Sequence, residues 1–308
     1  MARKKIPLSN FTRYITFARY STLKRNVNFL KAIFFWLVGK ERISSMPAFL
    51  KVEISRKCSV KCLYCFERKA DVFYPLEAYK ELVDKLKDYI YLVSLYDIGE
   101  PLENKDVIKY IRHGHERGIG TIISTSLSIR KNDAFWEELV NSGLDKIIVA
   151  IDGITPEVYN RYRTNGDRDL VMSNLKKILH YRRKSRSKIV VEWQMIDLPW
   201  NKHEQNQARL MAKRMGCVFR IIKDTSQPRR EYERLNVIRK KNCVLPYIIL
   251  IVTAYGKVRP CYKVYNAPME IGDVNRETVK QIWNGDAIRE IRSKRRIRHR
   301  QGCRTCQE

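Results

Sequence analysis

Residues 53–68 read EISRKCSVKCLYCFER and place Cys58, Cys62 and Cys65 in the spacing C-x3-C-x2-C, directly after a strand-like run from Phe49 to Ser55. Three thiolates in one tight loop leave a metal site one ligand short. Structural zinc takes four ligands, commonly in C-x2-C pairs, whereas three cysteines suit a [4Fe-4S] cluster whose fourth iron stays open to a small molecule. The alternative is three cysteines packed as small apolar residues. Arg56, Lys57, Ser59 and Lys61 interleave with them, which argues against an apolar loop. The same cations favour the thiolate, the form that binds metal.

Outward from this loop, residues 48–225 alternate strand with helix, the pattern of parallel strands joined by right-handed crossovers in an α/β fold. Strands are expected at Phe49 to Ser55, Leu92 to Asp97, Gly120 to Thr125, Lys146 to Ile151, Ile189 to Ile196 and Val218 to Ile222. Helices are expected at about 76–89, 105–117, 132–141, 155–182 with a break near Asn165-Gly166, and 203–215. Asn201 with Glu204 reads as a capping box for the last of these.

Cys-x3-Cys-x-aromatic-Cys, with Tyr64 as the aromatic residue, resembles the signature of the radical S-adenosylmethionine (SAM) enzymes. The resemblance implies a [4Fe-4S] cluster whose open iron chelates SAM. One electron from the cluster would break the sulfonium bond, and the 5′-deoxyadenosyl radical would abstract hydrogen from an unactivated carbon. It implies a partial (β/α)6 TIM-like barrel with its chemistry at the carboxyl ends of the strands, and a reductase, flavodoxin or ferredoxin as electron donor.

Further motifs follow the barrel strands. Gly99-Glu100-Pro101, after the second, resembles the family's Gly-Gly-Glu-Pro motif with Ile98 in place of the first glycine, and implies that Glu100 holds the SAM amine. Alone, Gly-Glu-Pro is also an ordinary turn. Ser124 and Ser126 close the third strand and are candidate SAM contacts. Ala150-Ile151-Asp152-Gly153 resembles a Ser-Ile-Asp-Gly segment that binds SAM; Asp152 keeps its place and Ala150 lacks the hydroxyl. Tyr162-Arg163 and Gly166-Asp167 resemble a further family stretch and make Arg163 the candidate partner of the SAM carboxylate. Gln194 is a candidate for SAM or substrate. Asp197, Lys223 and Asp224 are placed to line a substrate pocket, whereas Cys217, at the start of the sixth strand, reads as a core cysteine.

A second constellation is C-terminal: Cys243, Cys261 and the Cys303-x2-Cys306 pair. Four thiolates close a site as a zinc ribbon or as a fully ligated [4Fe-4S] cluster. A hairpin, Ile248 to Thr253 and Lys257 to Arg259 around Tyr255-Gly256, is expected to present the first pair, with a helix after it. Gly256-x4-Cys261, Ile271-Gly272-Asp273-Val274, Ile282-Trp283-Asn284 and Arg289 resemble the SPASM extension of radical SAM enzymes. Four cysteines imply one auxiliary cluster, as in the shortened twitch variant.

The expected organisation is therefore a lead (1–47), a barrel (48–225), a linker (226–242) and a small iron–sulfur domain (243–308). The chain of 308 residues is 44% hydrophobic, enough for a large core. Its 61 Lys and Arg against 33 Asp and Glu give a charge of +28 and point to an anionic partner. Nucleic acid ranks low, because aromatic stacking residues do not interleave with the basic run from Arg289 to Arg300. Seven of the eight cysteines fall at ligand spacings, which reads as a reducing cytoplasm. In the lead, basic residues surround Ala32-Ile33-Phe34-Phe35-Trp36-Leu37-Val38, too short to span a bilayer. It reads either as a helix lying in an anionic lipid interface at the inner face of the membrane or as one packed across the open side of the barrel. The expected activity is hydrogen abstraction from a lipid-linked or sugar-type substrate. Peptide maturation is the alternative, and a non-catalytic iron–sulfur or zinc protein ranks third.

Overall fold

The structure is a computed structural model and describes residues 19–63, 65, 70–223, 243–261 and 269–293. In chain order the strands are β1 (Phe49–Val52), β2 (Lys61–Cys62), β3 (Leu92–Ser94), β4 (Gly120–Thr125), β5 (Lys146–Ala150), β6 (Arg163–Thr164), β7 (Val190–Asp197), β8 (Val218–Lys223), β9 (Ile249–Val252), β10 (Lys257–Arg259) and β11 (Gly272–Asp273). The helices are α1 (Leu23–Val38), α2 (Leu76–Leu86), α3 (Val107–Glu116), α4 (Asp133–Val140), α5 (Pro156–Tyr162), α6 (Arg168–Lys184), α7 (Gln205–Met215), α8 (Leu245–Ile248), α9 (Val279–Asn284) and α10 (Asp286–Ser293).

Side-chain parity along the first strand shows how the barrel divides inside from outside. Leu50, Val52 and Ile54 are buried in the main apolar core, while Lys51 and Glu53 take the opposite parity. One face of the strand therefore meets the covering helices and the other the barrel interior. Ile123 on β4, Ile147 and Val149 on β5, and Val191, Trp193 and Met195 on β7 repeat the core-facing pattern. The six strands β1, β3, β4, β5, β7 and β8 are consecutive parallel neighbours, with Leu50 opposite Val93, Ser94 opposite Ile122, Ile123 opposite Ile147, Ala150 opposite Gln194 and Gln194 opposite Arg220. This is the six-stranded α/β arrangement that the sequence pattern predicts.

The long helical stretch breaks where expected. Asn165 adopts a left-handed φ of 63°, and α6 restarts after Asp167, whose side chain accepts from Leu170 N–H at 2.9 Å. The capping box at Asn201 does not form. Asn201 instead ties Asp152 O and Ile196 O with its amide at 2.9 and 2.8 Å. Glu204 is buried and accepts from Ile154 and Thr155 N–H, so tertiary donors take the carboxylate that a local cap would have used.

The C-terminal hairpin forms as expected, but it does not stand apart from the barrel. β9 pairs in parallel with β1, Leu50 opposite Leu250 and Val52 opposite Val252, and β10 and β11 continue the same sheet in antiparallel order. α9 and α10 then fold back on residues 41–46: Trp283 Nε1 donates to Ser45 O at 3.0 Å, and the buried Arg292 donates to Glu41, Pro246 and Trp283 carbonyls.

α1 lies beneath the amino ends of the strands and not across the barrel's open side. Its buried Arg25 donates to Lys87 O and Gly118 O, carbonyls just past the ends of α2 and α3 that precede the next strands, and to Tyr20 O just ahead of α1 itself. Phe29 meets Phe49 and Tyr91 edge to face at the start of β1 and β3. Among the described residues no helix is long and apolar enough to cross a membrane.

Candidate active site

The cysteine loop leaves the carboxyl end of β1 and is held from two sides. From one side, Arg56 N–H donates to Val72 O at 2.9 Å, and Ser55 bridges Phe73. From the other, β2 pairs antiparallel with β6, Cys62 opposite Arg163, and Leu63 N–H donates to Tyr162 O at 2.8 Å. Within the loop Cys65 N–H donates to Cys62 O at 3.1 Å. Cys58, Cys62 and Cys65 are all half-buried. Tyr64 lies outside the described residues.

The segment after β3 docks on this loop. A Cβ on Gly99 would stand 2.1 Å from Ser55 O and 2.7 Å from Arg56 Cα, so only glycine permits the approach. Glu100 N–H then donates to Lys57 O at 2.8 Å, one residue before Cys58, and Pro101 opens a buried 3-10 turn. The Glu100 carboxylate is buried and already bonded within the protein. Ser126 N–H and Oγ each donate to Oε2 at 2.7 Å, and Leu102 N–H donates to Oε1 at 3.2 Å. Burial pushes its pKa above the usual carboxylate range, against the pull of these bonds. Glu100 and Ser126 thus tie the loops after β3 and β4 together. Leu127 beside them is buried at a φ of 59°, a left-handed conformation unusual for leucine. Ser124 is half-buried on β4, at the parity opposite to core-facing Ile123.

Arg163 is buried between two partners. Its Nε donates to Asp152 Oδ2 at 2.6 Å and its Nη1 to Cys62 Sγ at 3.6 Å. Burial alone would lower its pKa, but Asp152 and the Cys62 sulfur outweigh it and hold the pKa above the ordinary value. Asp152 is fully buried; its other oxygen accepts from Ile196 N–H at 2.7 Å. Asp152 thus engages Arg163, and Arg163 in turn reaches a cysteine of the loop. Gln194 is half-buried on β7, beside Ala150. Asp197 accepts from Gln205 Nε2 at 2.9 Å, and Lys223 is exposed at the end of β8. Asp224 lies outside the described residues.

The barrel interior carries charges that the motif reading missed. Lys51 Nζ meets buried Asp97 at 2.5 Å, and Arg259 of the hairpin meets the same carboxylate at 3.6 Å. Buried Glu53 accepts from Arg56 Nη1 at 3.1 and 3.2 Å and from Ala254 N–H at 3.0 Å. Burial raises the Glu53 pKa. Deeper in, Glu192 on β7 lies between Lys146 at 2.5 Å and Arg220 at 3.8 Å. The signal was present in FLKVEIS, where charged residues alternate with core residues on one strand. Cys217 is buried just before β8, and burial pushes its thiol up to about 11, the state of an inert core cysteine.

Two family models match the chain: the radical SAM superfamily over residues 52–191 and an iron–sulfur cluster-binding (SPASM) domain over residues 243–307. The chain is a radical SAM protein. It is 28% identical to Fe-coproporphyrin III synthase of Methanosarcina barkeri (strain Fusaro / DSM 804) over 36% of this chain and 28% of that one. It is 21% identical to the S-adenosyl-L-methionine-dependent 2-deoxy-scyllo-inosamine dehydrogenase of Niallia circulans over 82% of this chain and 88% of the relative. The chain spans less than half the length of several curated relatives that it matches. The structure of Streptococcus suis SuiB bound to precursor peptide SuiA superposes with a TM-score of 0.61 at 14% identity, covering 85% of this chain and 70% of SuiB, a likeness of fold.

Membership implies SAM, a [4Fe-4S] cluster and an auxiliary iron–sulfur cofactor. The donor set fits the first cluster: three half-buried thiols on one loop, with a buried guanidinium directed at one of the sulfurs. For the auxiliary site, Cys243 is half-buried ahead of α8 and Cys261 is buried two residues beyond β10, while Cys303 and Cys306 lie outside the described residues. Among the described residues no three His, Cys, Asp or Glu side chains converge as ligands of a single ion. A four-iron cube spreads its thiolates over separate irons and asks for wider spacing.

Proposed function

We propose that this radical SAM protein takes a hydrogen atom from a carbon of a small, polar, sugar-type substrate, free or carried on a lipid. The observation that carries the reaction class is the anchoring of the Cys58–Cys65 loop at the carboxyl end of β1. Gly99 admits the Glu100 segment against it, and Arg163 links it to Asp152. When bound there, the cluster and SAM supply a reductively generated carbon radical. The chain's own residues hold the loop in place: Ser126 fixes Glu100, and Glu100 fixes Lys57 O beside the first cysteine.

The substrate class is supported by the interior of the barrel. Lys51, Asp97, Glu53, Arg56 and Arg259 form charged pairs near the carboxyl end of β1 and beside the hairpin that leads to Cys261. Such walls suit hydroxyl or amino groups better than an acyl chain. The match to the 2-deoxy-scyllo-inosamine dehydrogenase over most of both chains points the same way. Peptide maturation is the competing reading. It is weakened by α1, because the described part of the lead is a helix under the barrel and offers no strand edge to a leader peptide.

Carbon-deuterated aminocyclitols, sugars and polyprenyl-linked sugars, offered with SAM and reductant in the absence of oxygen, test the reading. Deuterium is expected in 5′-deoxyadenosine from one of the sugar-type compounds. Transfer from a precursor peptide and from none of them would overturn it.

A further inference from the structure

α1 has a buried, largely polar face and an exposed apolar one. The first carries Arg25, Asn28 and Ala32 and is buried against the foot of the barrel. Thr22 caps its start by accepting from Arg25 N–H at 3.3 Å, and Arg25 clamps it through the Lys87 and Gly118 carbonyls. The opposite face carries Leu23, Val27, Leu30, Phe34 and Val38, which are 80, 42, 66, 58 and 54% exposed. At 100° per residue these five fall within an arc of about 80°, turned away from the barrel. Five of the eleven large exposed apolar side chains among the described residues are thus concentrated on one surface of one helix. Scattered single exposures would need no explanation, but a stripe of this kind does.

The charges around the stripe select its partner. From Arg19 to Lys40 the sequence holds Arg19, Lys24, Arg25, Lys31 and Lys40 and no Asp or Glu, and Glu41 and Arg42 follow. Lys24 and Lys31 border the stripe; Lys24 also meets exposed Asp88 at 3.2 Å, and Arg19 meets Asp145 at 3.5 Å. A second copy laid on the stripe would bring the lysines of both helices together with no acidic residue of either helix to match them. We propose that the outward face of α1 docks this protein on an anionic lipid surface. The helix lies in the interface with Leu30 and Phe34 among the acyl chains and the bordering lysines at the headgroups. Sixteen residues give a length of about 24 Å, enough to lie along the surface and too short to cross it.

This docking goes beyond the catalytic reading and is measured without turnover. The full chain, with its clusters reconstituted, is sedimented with vesicles of phosphatidylglycerol and phosphatidylcholine and, separately, of phosphatidylcholine alone. Wild type is expected to partition onto the anionic vesicles and to be released by high salt. Leu30→Glu/Phe34→Glu is expected to weaken partitioning by about tenfold or more, and Lys24→Glu/Lys31→Glu to weaken it by about the same factor. Unchanged iron content and circular dichroism show that each variant is folded; both pairs lie on the outer side of the helix. Absence of wild-type binding at low salt would overturn the proposal, as would unaltered binding of the Leu30→Glu/Phe34→Glu variant. A wild-type dimer that this double substitution splits, with no vesicle binding, would assign the stripe to a second copy.

Discussion

Two side chains that the motif reading took for ligand contacts are held by the protein itself. Arg163 neutralises buried Asp152 and reaches Cys62 Sγ, so removing it strands one anion and strips a donor from a cysteine sulfur. Arg163→Met should destabilise the fold by about 3–5 kcal/mol in denaturant titrations. It should also move the cluster potential to more negative values in a titration followed by electron paramagnetic resonance. An unmoved potential would mean that the guanidinium does not act on Cys62. Glu100 poses a different test, through pH. Its folded pKa lies above the unfolded 4.5, so its contribution to stability is complete below about pH 4.5 and is lost as the pH rises through the folded value. Ser126 donates to the charged form, and its loss raises that pKa further. Ser126→Ala should therefore cost about 1–3 kcal/mol at pH 7 and less near pH 4.5. An equal cost at both would show that the hydroxyl does not serve the carboxylate.

Among the elements, the contact between β1 and β9 makes the C-terminal hairpin part of the barrel sheet, and Asp97 reinforces it by holding Lys51 of β1 and Arg259 of β10. Asp97→Asn should cost about 2–5 kcal/mol, since it leaves buried Lys51 and half-buried Arg259 with a neutral partner. A double-mutant cycle with Arg259→Met should give a coupling of about 1 kcal/mol or more; additive effects would separate the hairpin from the barrel charge network. The six strands and their helices were legible because parity and period are local signals, and Asn165-Gly166 marked the helix break at the right place. The Cys58–Cys62–Cys65 loop was legible from spacing alone. The engagement of Glu100 by Ser126, of Asp152 by Arg163 and of Glu204 by Thr155 was not, because each depends on loops 26, 11 and 49 residues apart meeting in space. For the same reason, the capping box expected at Glu204 was overridden by tertiary donors. The pairing of β9 with β1 was equally hidden, since a hairpin's own sequence does not name the strand beside it.

Over the whole molecule, α1 and the cysteine loop occupy opposite poles. The run from Phe49 to Ser55 separates them by about 20 Å of extended chain. Docked through α1, the barrel would open away from the bilayer, toward substrates presented from the aqueous side, which favours a sugar-type group over a buried acyl chain. The charge of +28 is consistent with a surface that seeks anions. The central claim is that the loop at the carboxyl end of β1 builds a centre for reductive cleavage of SAM. Its most direct test is the yield of 5′-deoxyadenosine from anaerobically reconstituted protein given reductant and SAM, compared with Cys58→Ala, Cys62→Ala and Cys65→Ala. Formation by wild type and loss in all three variants are expected, with the C-terminal cluster's absorbance retained; 5′-deoxyadenosine formed equally by wild type and the variants would contradict a cleavage centre on this loop.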